Sequence, residues 1–370
     1  MERKIKIKKV LRYIKIYGIS RTLTKIVGRL RLNIPFHILL SFPNYNKKGK
    51  TVGIIGCGHQ SYSSLAYYLT RLTNYKFIWA YDIDENAVRS LSVAYGIKNK
   101  NLGKGLDEYI IPDIVYIASN HATHTDYAVQ FIDKGCDVYI EKPISINQNQ
   151  FKKLTNAIEK SNSNIYVGYN RPFSKAIKLL RSYYDNPSNL PFTLNCYVIG
   201  HLIPDDHWYR DPKEGSRIVS NLGHWIDLFV HIYYWTNRFP KYLDININYS
   251  NENQPSDNIS VNIVSPGNDL ISLVFSTRND PFEGVNETIN FQCGELNSKI
   301  NDFREIEIWK ESKYLKKTFF TKDNGHKASA IQPKLAGEKR EWAELKTSTR
   351  VMLFIEEMAN SKIKNKRFNF

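Results

Sequence analysis

The sequence predicts an α/β protein with two parts: an N-terminal Rossmann-like domain with a doubly wound parallel sheet, and a C-terminal α+β domain with a mostly antiparallel open sheet. After residue 50, short apolar runs alternate with helical stretches, which indicates right-handed crossovers and a parallel sheet covered on both faces. From about residue 190, longer runs alternate apolar and polar residues, as expected for an antiparallel sheet with one buried face. A length of 370 residues also suits two domains better than one.

These changes of pattern predict three segments. We expect a basic extension and linker over residues 1–50, the parallel-sheet domain over 51–170 and the α+β domain over 171–370. The linker prediction rests on the prolines and polar residues of 33–50.

The extension holds most of the positive charge of the chain. The net charge is +16, and residues 1–50 contain fourteen Lys or Arg against Glu2 alone, which leaves only +3 for the other 320 residues. Helical spacing within residues 19–32 predicts a basic amphipathic helix. Its predicted apolar face consists of Leu23, Ile26, Val27 and Leu30, and its predicted cationic face of Arg21, Lys25 and Arg29.

Three partners suit such a helix. It can pack on the body of the protein or on a second subunit, or it can lie on an anionic membrane through residues 1–31. Nucleic acid is the least favoured partner, because no interleaved aromatic residues accompany the charge.

The cysteines favour a reducing compartment. Four cysteines are far apart and show no paired metal spacing. No uninterrupted apolar stretch reaches the roughly 20 residues of a spanning helix, and the extension lacks the apolar core of a secretory signal. We therefore expect a cytoplasmic protein, at the inner face of the membrane if the basic helix docks there.

The elements follow from the pattern in chain order. Strands are predicted at 51–55, 76–82, 112–119, 137–141 and 163–169, with helices at 63–72, 123–135 and 147–161 between them. Further strands are predicted at 192–202, 241–250, 258–265, 270–278 and 287–293, and a closing helix at 338–361.

The first strand runs into a glycine-rich loop with the pattern of a dinucleotide-binding turn. Gly56 permits a tight turn, Gly58 lets the backbone approach a pyrophosphate, and Ser61 is small where a third glycine or alanine is usual. Asp82 ends the second strand, at a distance along the chain that suits hydrogen bonds to a ribose diol, and its charge favours NAD over NADP. The predicted cofactor contacts of the loop are Gly56, Cys57, Gly58, His59, Gln60 and Ser61. The alternative is an ordinary strand-to-helix turn with a solvent-facing Asp82.

Two later strands also end on polar residues, at the sheet edge where ligands bind. Ser119, Asn120, His121 and His124 follow one of them, and we expect them to shape the nicotinamide pocket or to cap the next helix. A metal site is disfavoured, because no third ligand stands near the two histidines.

The other strand ends on Glu141 and Lys142, followed by Pro143, and we expect both residues to contact the cofactor beside the nicotinamide. The proline restricts the backbone of Lys142 and so limits the directions its side chain can take. We therefore expect the lysine to exchange a proton in a site that is partly shielded from water. A surface Lys-Glu pair at a strand end is the alternative.

A stretch in the second domain holds candidate substrate contacts. His207, Trp208, Arg210 and Arg217 suit a sugar with an attached phosphate, by stacking and forked hydrogen bonds. On the helix that follows, Asn221, His224, Asp227 and Leu228 share one face. His224 is a candidate general acid or base, although a single histidine on a helix is more often structural.

Taken together, these motifs resemble the Gfo/Idh/MocA family, the glucose-fructose oxidoreductase and inositol dehydrogenase group. The shared features are the Gly56-Cys57-Gly58 turn, "SNHATH", "EKP", "VGYNRPF" and the helix with His224. The resemblance implies an NAD(P)-dependent oxidoreductase with a Rossmann domain over 51–170, and a substrate-binding and oligomerisation domain over 171–370. It also implies that Lys142 and His224 are catalytic, and Arg171 of "NRPF" is included among the predicted substrate contacts together with Lys142, Asn221 and His224.

The chain departs from the family at one catalytic position. Many members have an aspartate four residues before the histidine, where this chain has Ser220. We expect an NAD-dependent sugar oxidoreductase of bacterial surface polysaccharide biosynthesis, with a nucleotide- or lipid-linked substrate, no metal, and a homo-oligomer of two or four chains. The competing hypotheses are a protein that binds NAD and a sugar without turnover, and an enzyme whose basic arm binds nucleic acid or a partner.

Overall fold

The computed structural model describes residues 2–35, 47–100, 105–185, 189–279, 281–335 and 337–370. The described residues form two compact units, each discontinuous in sequence. The parallel-sheet unit comprises Tyr17–Gly168 and His326–Arg340, and the open-sheet unit comprises Met1–Ile16, Tyr169–Gly325 and Glu341–Phe370. The predicted boundaries at 50 and 170 differ from these, because the basic extension divides between the units and residues 326–340 return to the first one.

The parallel-sheet unit contains six parallel strands in the order β3-β2-β1-β4-β5-β6. Their bounds are β1 Thr51–Ile55, β2 Lys76–Tyr81, β3 Asn99–Lys100, β4 Ile114–Ile117, β5 Asp137–Ile140 and β6 Ile165–Val167. All four residues of β4 are buried, as expected for a central parallel strand covered on both faces. The order reverses between β1 and β4, and ligands of doubly wound sheets bind at such a switch point.

Helices cover this sheet, and two of them begin at residues whose side chains cap the helix, Asp84 and Asn147. In chain order they are α2 Ile19–Arg29, α3 Ala66–Leu72, α4 Glu85–Tyr95, α5 His121–Ile132, α6 Gln148–Glu159 and the short α9 His326–Ala330, with α1 Glu2–Tyr17 before them. A π-helical turn, Ser61–Leu65, leads into α3. Asp84 caps α4 by accepting from the amide of Asn86 at 2.9 Å. The α9 segment joins this unit through a hydrogen bond from the Tyr116 hydroxyl to the Ala330 carbonyl at 2.9 Å.

The open-sheet unit is built on nine strands in the order β14-β13-β12-β11-β7-β10-β9-β8-β15. Their bounds are β7 Phe192–Ile199, β8 Tyr242–Tyr249, β9 Ile259–Val264, β10 Leu270–Ser276, β11 Asn286–Cys293, β12 Leu296–Asn301, β13 Glu305–Lys310, β14 Lys313–Thr318 and β15 Asn365–Asn369. All neighbours are antiparallel except β7 and β10, which are parallel. Along β7, buried residues alternate with more exposed ones, so one face is buried.

The open-sheet unit also contains most of α1 and the helices α7 Lys175–Tyr183, α8 Gly223–Tyr233 and α10 Trp342–Asn360. The long α10 packs against α8, and ten of the eleven α8 residues are buried. The predicted fold class, a Rossmann-like parallel-sheet domain followed by an α+β domain with a mostly antiparallel open sheet, is confirmed. No helix among the described residues is long and apolar enough to span a membrane.

The basic extension forms two helices, of which only α2 is predicted from the sequence. The prediction of which α2 residues face inward is partly wrong. Val27 is buried as expected, but Leu23 and Leu30 are exposed, and Thr22, Thr24 and Gly28 are the other buried residues. Most of the predicted linker, residues 36–46, lies outside the described residues.

Candidate nucleotide and substrate sites

The loop after β1 lies at the carboxyl edge of the parallel sheet. Gly56 has φ +84°, and a Cβ there would stand 2.4 Å from the backbone of Ala118, in the loop after β4. Glycine is therefore required where the two loops approach. At Gly58, in contrast, a Cβ would meet no atom within 4 Å. The backbone at Gly58 thus borders open space of the kind that a pyrophosphate needs.

The peptide groups of Cys57 are held from two sides. The Cys57 N–H donates to Asp82 Oδ2 at 2.6 Å, and the Cys57 carbonyl accepts from Arg31 Nη1 at 2.8 Å. The other carboxylate oxygen of Asp82 accepts the amide of Asp84 at 3.0 Å. Each Asp82 oxygen retains a further lone pair, so the carboxylate can still accept from ribose hydroxyls. These bonds fix the loop and aim Asp82 along the sheet edge.

Arg31 is a residue of this site that the sequence analysis does not identify. It comes from the basic extension, whose charge suggests only an external partner when the sequence is considered alone. The contact with Cys57 joins residues 26 positions apart and depends on how α2 packs. The closely spaced Arg29 and Arg31, which precede the nucleotide-binding strand, are the sequence signal that could have drawn attention to it.

His59 lies in a positive electrostatic environment. Its Nε2 is 3.3 Å from the Ser63 hydroxyl. Burial, together with the charges of Lys25, Arg29 and Arg31, lowers the pKa of His59 to about 4. The imidazole is therefore neutral at pH 7, and the cations of the extension provide the positive potential beside the loop, which favours an anionic ligand.

Gln60 and Ser61 contact the protein itself. The buried Ser61 hydroxyl donates to the Gly56 carbonyl. The Gln60 amide donates to Glu141 Oε1 at 3.0 Å, and the same oxygen accepts from the Tyr139 hydroxyl at 3.2 Å. Burial raises the pKa of Glu141. Glu141 thus supports the glycine-rich loop from below, and its direct contact with a cofactor stays a prediction.

Lys142 stands at the predicted position, directly after the end of β5. Its N–H donates to Glu141 Oε2 at 3.3 Å, and its peptide bond to Pro143 is cis. Glu141 and Pro143 are both buried, whereas the Lys142 side chain is half-buried. The lysine backbone is therefore fixed at the same sheet edge as the glycine-rich loop, and its catalytic role stays a prediction.

His124 links the loops after β4 and β5 from inside. Its Nδ1 is 2.8 Å from the Pro143 carbonyl and its Nε2 is 3.0 Å from the Ser119 carbonyl. Burial lowers the pKa of His124 to about 4. The neutral ring has one N–H and so donates to one carbonyl at a time. This arrangement suits the predicted shaping of the pocket, while direct contact of His124 with the cofactor stays a prediction.

Ser119, Asn120 and His121, the other predicted pocket residues after β4, differ in solvent exposure. Ser119 is half-buried, with its hydroxyl 2.7 Å from that of Thr123. Asn120 is exposed at the start of α5, and its side chain makes no capping hydrogen bond. His121 is buried. Within the described ranges, no group of three or more His, Cys, Asp or Glu side chains could hold a metal ion.

In the open-sheet unit, a π-helical turn, Ile218–Leu222, leads into α8 and places His224 at its start. The His224 ring is buried and lies edge-to-face with Tyr169, with ring centres 6.2 Å apart. Ser220 is fully buried, and its hydroxyl donates to the Ser216 carbonyl at 2.9 Å. Ser220 thus bonds within its own turn, where many relatives would have an aspartate.

The predicted substrate arginines bond to carboxylates of their own unit. Arg171 donates to both oxygens of Glu287, at 2.8 and 3.0 Å, and is buried. Arg210 holds both oxygens of Asp257, and the buried Arg217 Nη1 is 3.2 Å from the same carboxylate. The forked bonds are therefore made within the unit, and substrate contact by Arg171, Arg210 and Arg217 stays a prediction.

The remaining candidates divide into buried and accessible residues. Asp227 and Leu228 are fully buried, and Asn221 accepts from Arg217 Nε at 3.1 Å. Trp208 is 45% exposed, with the His207 ring stacked beside it at 5.9 Å. Trp208 is thus the exposed residue among the predicted substrate contacts, and His207 is half-buried beside it.

Comparison with known proteins agrees with this geometry. Residues 50–169 match the family model GFO_IDH_MocA, described as "Oxidoreductase family, NAD-binding Rossmann fold". The expected cofactor, NAD, is thereby confirmed at the level of the family. The structure also resembles that of GenD2 from gentamicin A biosynthesis in complex with NAD, with a TM-score of 0.68 and 15% identity over 86% of this chain and 96% of that one. At this identity the likeness shows the fold.

Two relatives align by sequence over about half of the chain. Oxidoreductase P35 of Formosa agariphila is 30% identical over 179 residues, which are 47% of this chain and 51% of that protein. Glucose-6-phosphate 3-dehydrogenase of Bacillus subtilis is 25% identical over 187 residues, 50% of this chain and 51% of that protein. The chain thus spans about half the length of these relatives.

Proposed function

We propose that the protein transfers a hydride between NAD and a carbinol of a sugar, because residues 50–169 match the model of the Gfo/Idh/MocA oxidoreductase family. The main support is the Cys57 peptide held between Asp82 and Arg31, next to open space at Gly58. A fixed glycine-rich loop with neighbouring cations suits a pyrophosphate. Asp82 offers acceptor oxygens to the adenosine ribose, and its negative charge disfavours a 2'-phosphate.

Bound NAD supplies the hydride acceptor or donor. Lys142 is the proposed group that takes or returns the carbinol proton, because it is fixed at the carboxyl edge of the sheet beside the glycine-rich loop. In the open-sheet unit, His224 is the second proposed acid-base group, since its imidazole is buried at the start of α8.

The substrate proposal draws on the relatives and on one accessible surface. The name glucose-6-phosphate 3-dehydrogenase describes a relative that acts on a sugar phosphate. In this chain, Trp208 and His207 offer rings on which a sugar can stack. We propose a nucleotide- or lipid-linked sugar of bacterial surface polysaccharide biosynthesis, handled in the cytoplasm by a homo-oligomer of two or four chains, with peripheral membrane contact through residues 1–31.

A second candidate is a protein that binds NAD and a sugar without turnover. Ser220 favours it, because the usual carboxylate is absent and the hydroxyl bonds to the Ser216 carbonyl. Proton exchange would then depend on Lys142 and His224 without a carboxylate partner at that position.

Absorbance and fluorescence of the reduced nicotinamide distinguish the two candidates. The purified protein is mixed with NAD or NADH and a panel of UDP-, GDP- and dTDP-linked sugars. A substrate-dependent change in the nicotinamide signal supports the oxidoreductase and identifies the sugar class. Tight NAD binding without any change across nucleotide-linked and lipid-linked sugars supports the binding protein, and absence of NAD binding contradicts both.

A further inference from the structure

The second helix of the extension, α2, packs on the parallel-sheet unit by its small and polar side. Thr22, Thr24, Val27 and Gly28 are buried. A Cβ at Gly28 would stand 2.6 Å from the Tyr62 ring, so the helix backbone lies directly on that ring. The hydroxyls of Thr22 and Thr24 donate to the carbonyls of Gly18 and Ser20, at 2.9 and 2.8 Å, and so are satisfied within the helix itself. The position of α2 is therefore fixed by the close approach at Gly28 more than by large apolar side chains.

The other side of α2 exposes an apolar stripe. Ile19, Leu23 and Leu30 are 63%, 49% and 62% exposed. Residues at these spacings lie along one side of a helix. A helix of a globular protein normally turns such a stripe inward. Here the described chain leaves the stripe uncovered, and the inward side is the more polar one.

The sequence of the two extension helices is strongly cationic. Residues 7–31 contain eight Lys or Arg and no Asp or Glu. Lys8, Lys15 and Arg29 are exposed. The preceding helix, α1, likewise exposes Ile7 and Leu11 on its own surface, at 53% and 61%. Each helix of the extension thus combines exposed apolar side chains with positive charge.

These features select an anionic bilayer over a second copy of the chain. Two copies that met through this stripe would bring like charges together with no acidic residue between them, which opposes association. A lipid surface buries the apolar side chains between its headgroups and places anionic phosphates at the height of the cations. We propose that the Ile19–Leu23–Leu30 stripe of α2 docks the protein on an anionic lipid membrane.

Sedimentation of the full chain with lipid vesicles tests the proposal. The protein should bind vesicles of phosphatidylcholine mixed with phosphatidylglycerol, and bind pure phosphatidylcholine much more weakly. Leu23→Glu should lower the partition coefficient by roughly tenfold or more, because it removes apolar burial and adds a negative charge. The matched control Ile110→Glu changes a residue that is 69% exposed in a different part of the chain, and it should leave binding unchanged.

Charge is tested with a second pair of variants. Arg29→Gln should weaken binding to the anionic vesicles by about fivefold. Lys313→Gln, on the exposed strand β14, is its matched control and should have no effect. Thermal unfolding must match that of the unaltered protein in all four variants, and NAD affinity must match in Leu23→Glu, Ile110→Glu and Lys313→Gln, so that a loss of binding reports the surface and not the fold.

Three results would overturn the proposal. The first is equal binding to neutral and anionic vesicles, and the second is unchanged binding of Leu23→Glu. The third is a fall in molecular mass of Leu23→Glu by analytical ultracentrifugation with vesicle binding intact, since a second copy would then cover the stripe.

Discussion

Arginine and carboxylate side chains occur both at the glycine-rich loop and in the open-sheet unit, but their hydrogen bonding differs between the two regions. At the loop, Asp82 and Arg31 hold the Cys57 peptide yet leave acceptor lone pairs and open space at Gly58. In the open-sheet unit, Arg171 makes a forked pair with the fully buried carboxylate of Glu287. The difference teaches that residue type alone does not identify a ligand contact. A ligand contact is better indicated by a polar group that still has a free lone pair and lies next to open space.

The largest expected effect is on turnover and concerns Lys142. If this lysine exchanges the carbinol proton, Lys142→Met should lower kcat by about 10²- to 10⁴-fold. The Kd for NAD, measured by calorimetry, should stay close to that of the unaltered protein. Lys153→Met, which changes an exposed lysine, is the matched control and should leave kcat unchanged. A variant that keeps full turnover at position 142 would remove Lys142 from the reaction.

The next effect is on stability and concerns Arg171. Removal of one partner from a buried ion pair leaves the other charge buried, so Arg171→Met should lower the free energy of unfolding by about 3–5 kcal/mol. Arg367, which also makes a forked pair but at an exposed position with Asp244, is the control, and Arg367→Met should change stability little. Urea denaturation measures both. A stable Arg171→Met with weaker sugar binding would instead restore the substrate role.

A smaller effect is the pH dependence caused by His124. Its folded pKa of about 4 lies below the ordinary value of 6.5, so the unfolded chain takes up a proton first as the pH falls. The contribution of His124 to stability is therefore full above about pH 6.5 and is lost towards pH 4. Between pH 7.5 and 5 the loss should be about 2 kcal/mol.

His124→Gln should remove this part of the pH dependence of the unfolding free energy. Urea denaturation at the two pH values measures it. An unchanged difference between pH 7.5 and 5 in the variant would show that His124 titrates with an ordinary pKa in the folded protein.

The smallest effect concerns Arg31. Arg31→Ala removes the bond to the Cys57 carbonyl and a positive charge beside the loop, so the Kd for NAD should rise by about fivefold. Arg29→Ala keeps the Cys57 contact and is the comparison variant. Equal losses in the two variants would assign the effect to general charge and not to the Cys57 bond.

Local patterns in the sequence predict much of the fold. The strands and the Gly56 turn are recognisable because β propensity, periodicity and the turn chemistry agree within a few residues. Five strands are not predicted: β3, β12, β13, β14 and β15. In the edge strands β14 and β15, basic residues replace the alternating apolar residues. These charged strands form by pairing with neighbours and bury little.

Tertiary contacts account for what the sequence leaves open at the candidate site. The Arg31–Cys57 bond joins segments that the pattern assigns to different domains. The orientation of α2 follows from the close approach of Gly28 to Tyr62, which outweighs the burial of Leu23 and Leu30. The pairing of Arg171 with Glu287 spans 116 positions along the chain, so no local signal separates it from a ligand-binding arginine.

The most direct test of the account is calorimetric titration of NAD into Gly58→Ala. A Cβ at this position meets no protein atom within 4 Å, so thermal unfolding of the variant should match that of the unaltered protein. The methyl group would occupy the space assigned to the pyrophosphate, and the Kd for NAD should rise by about tenfold or more. An unchanged Kd in the folded variant would show that the cofactor does not approach the loop at Gly58, and would contradict the proposed nucleotide site.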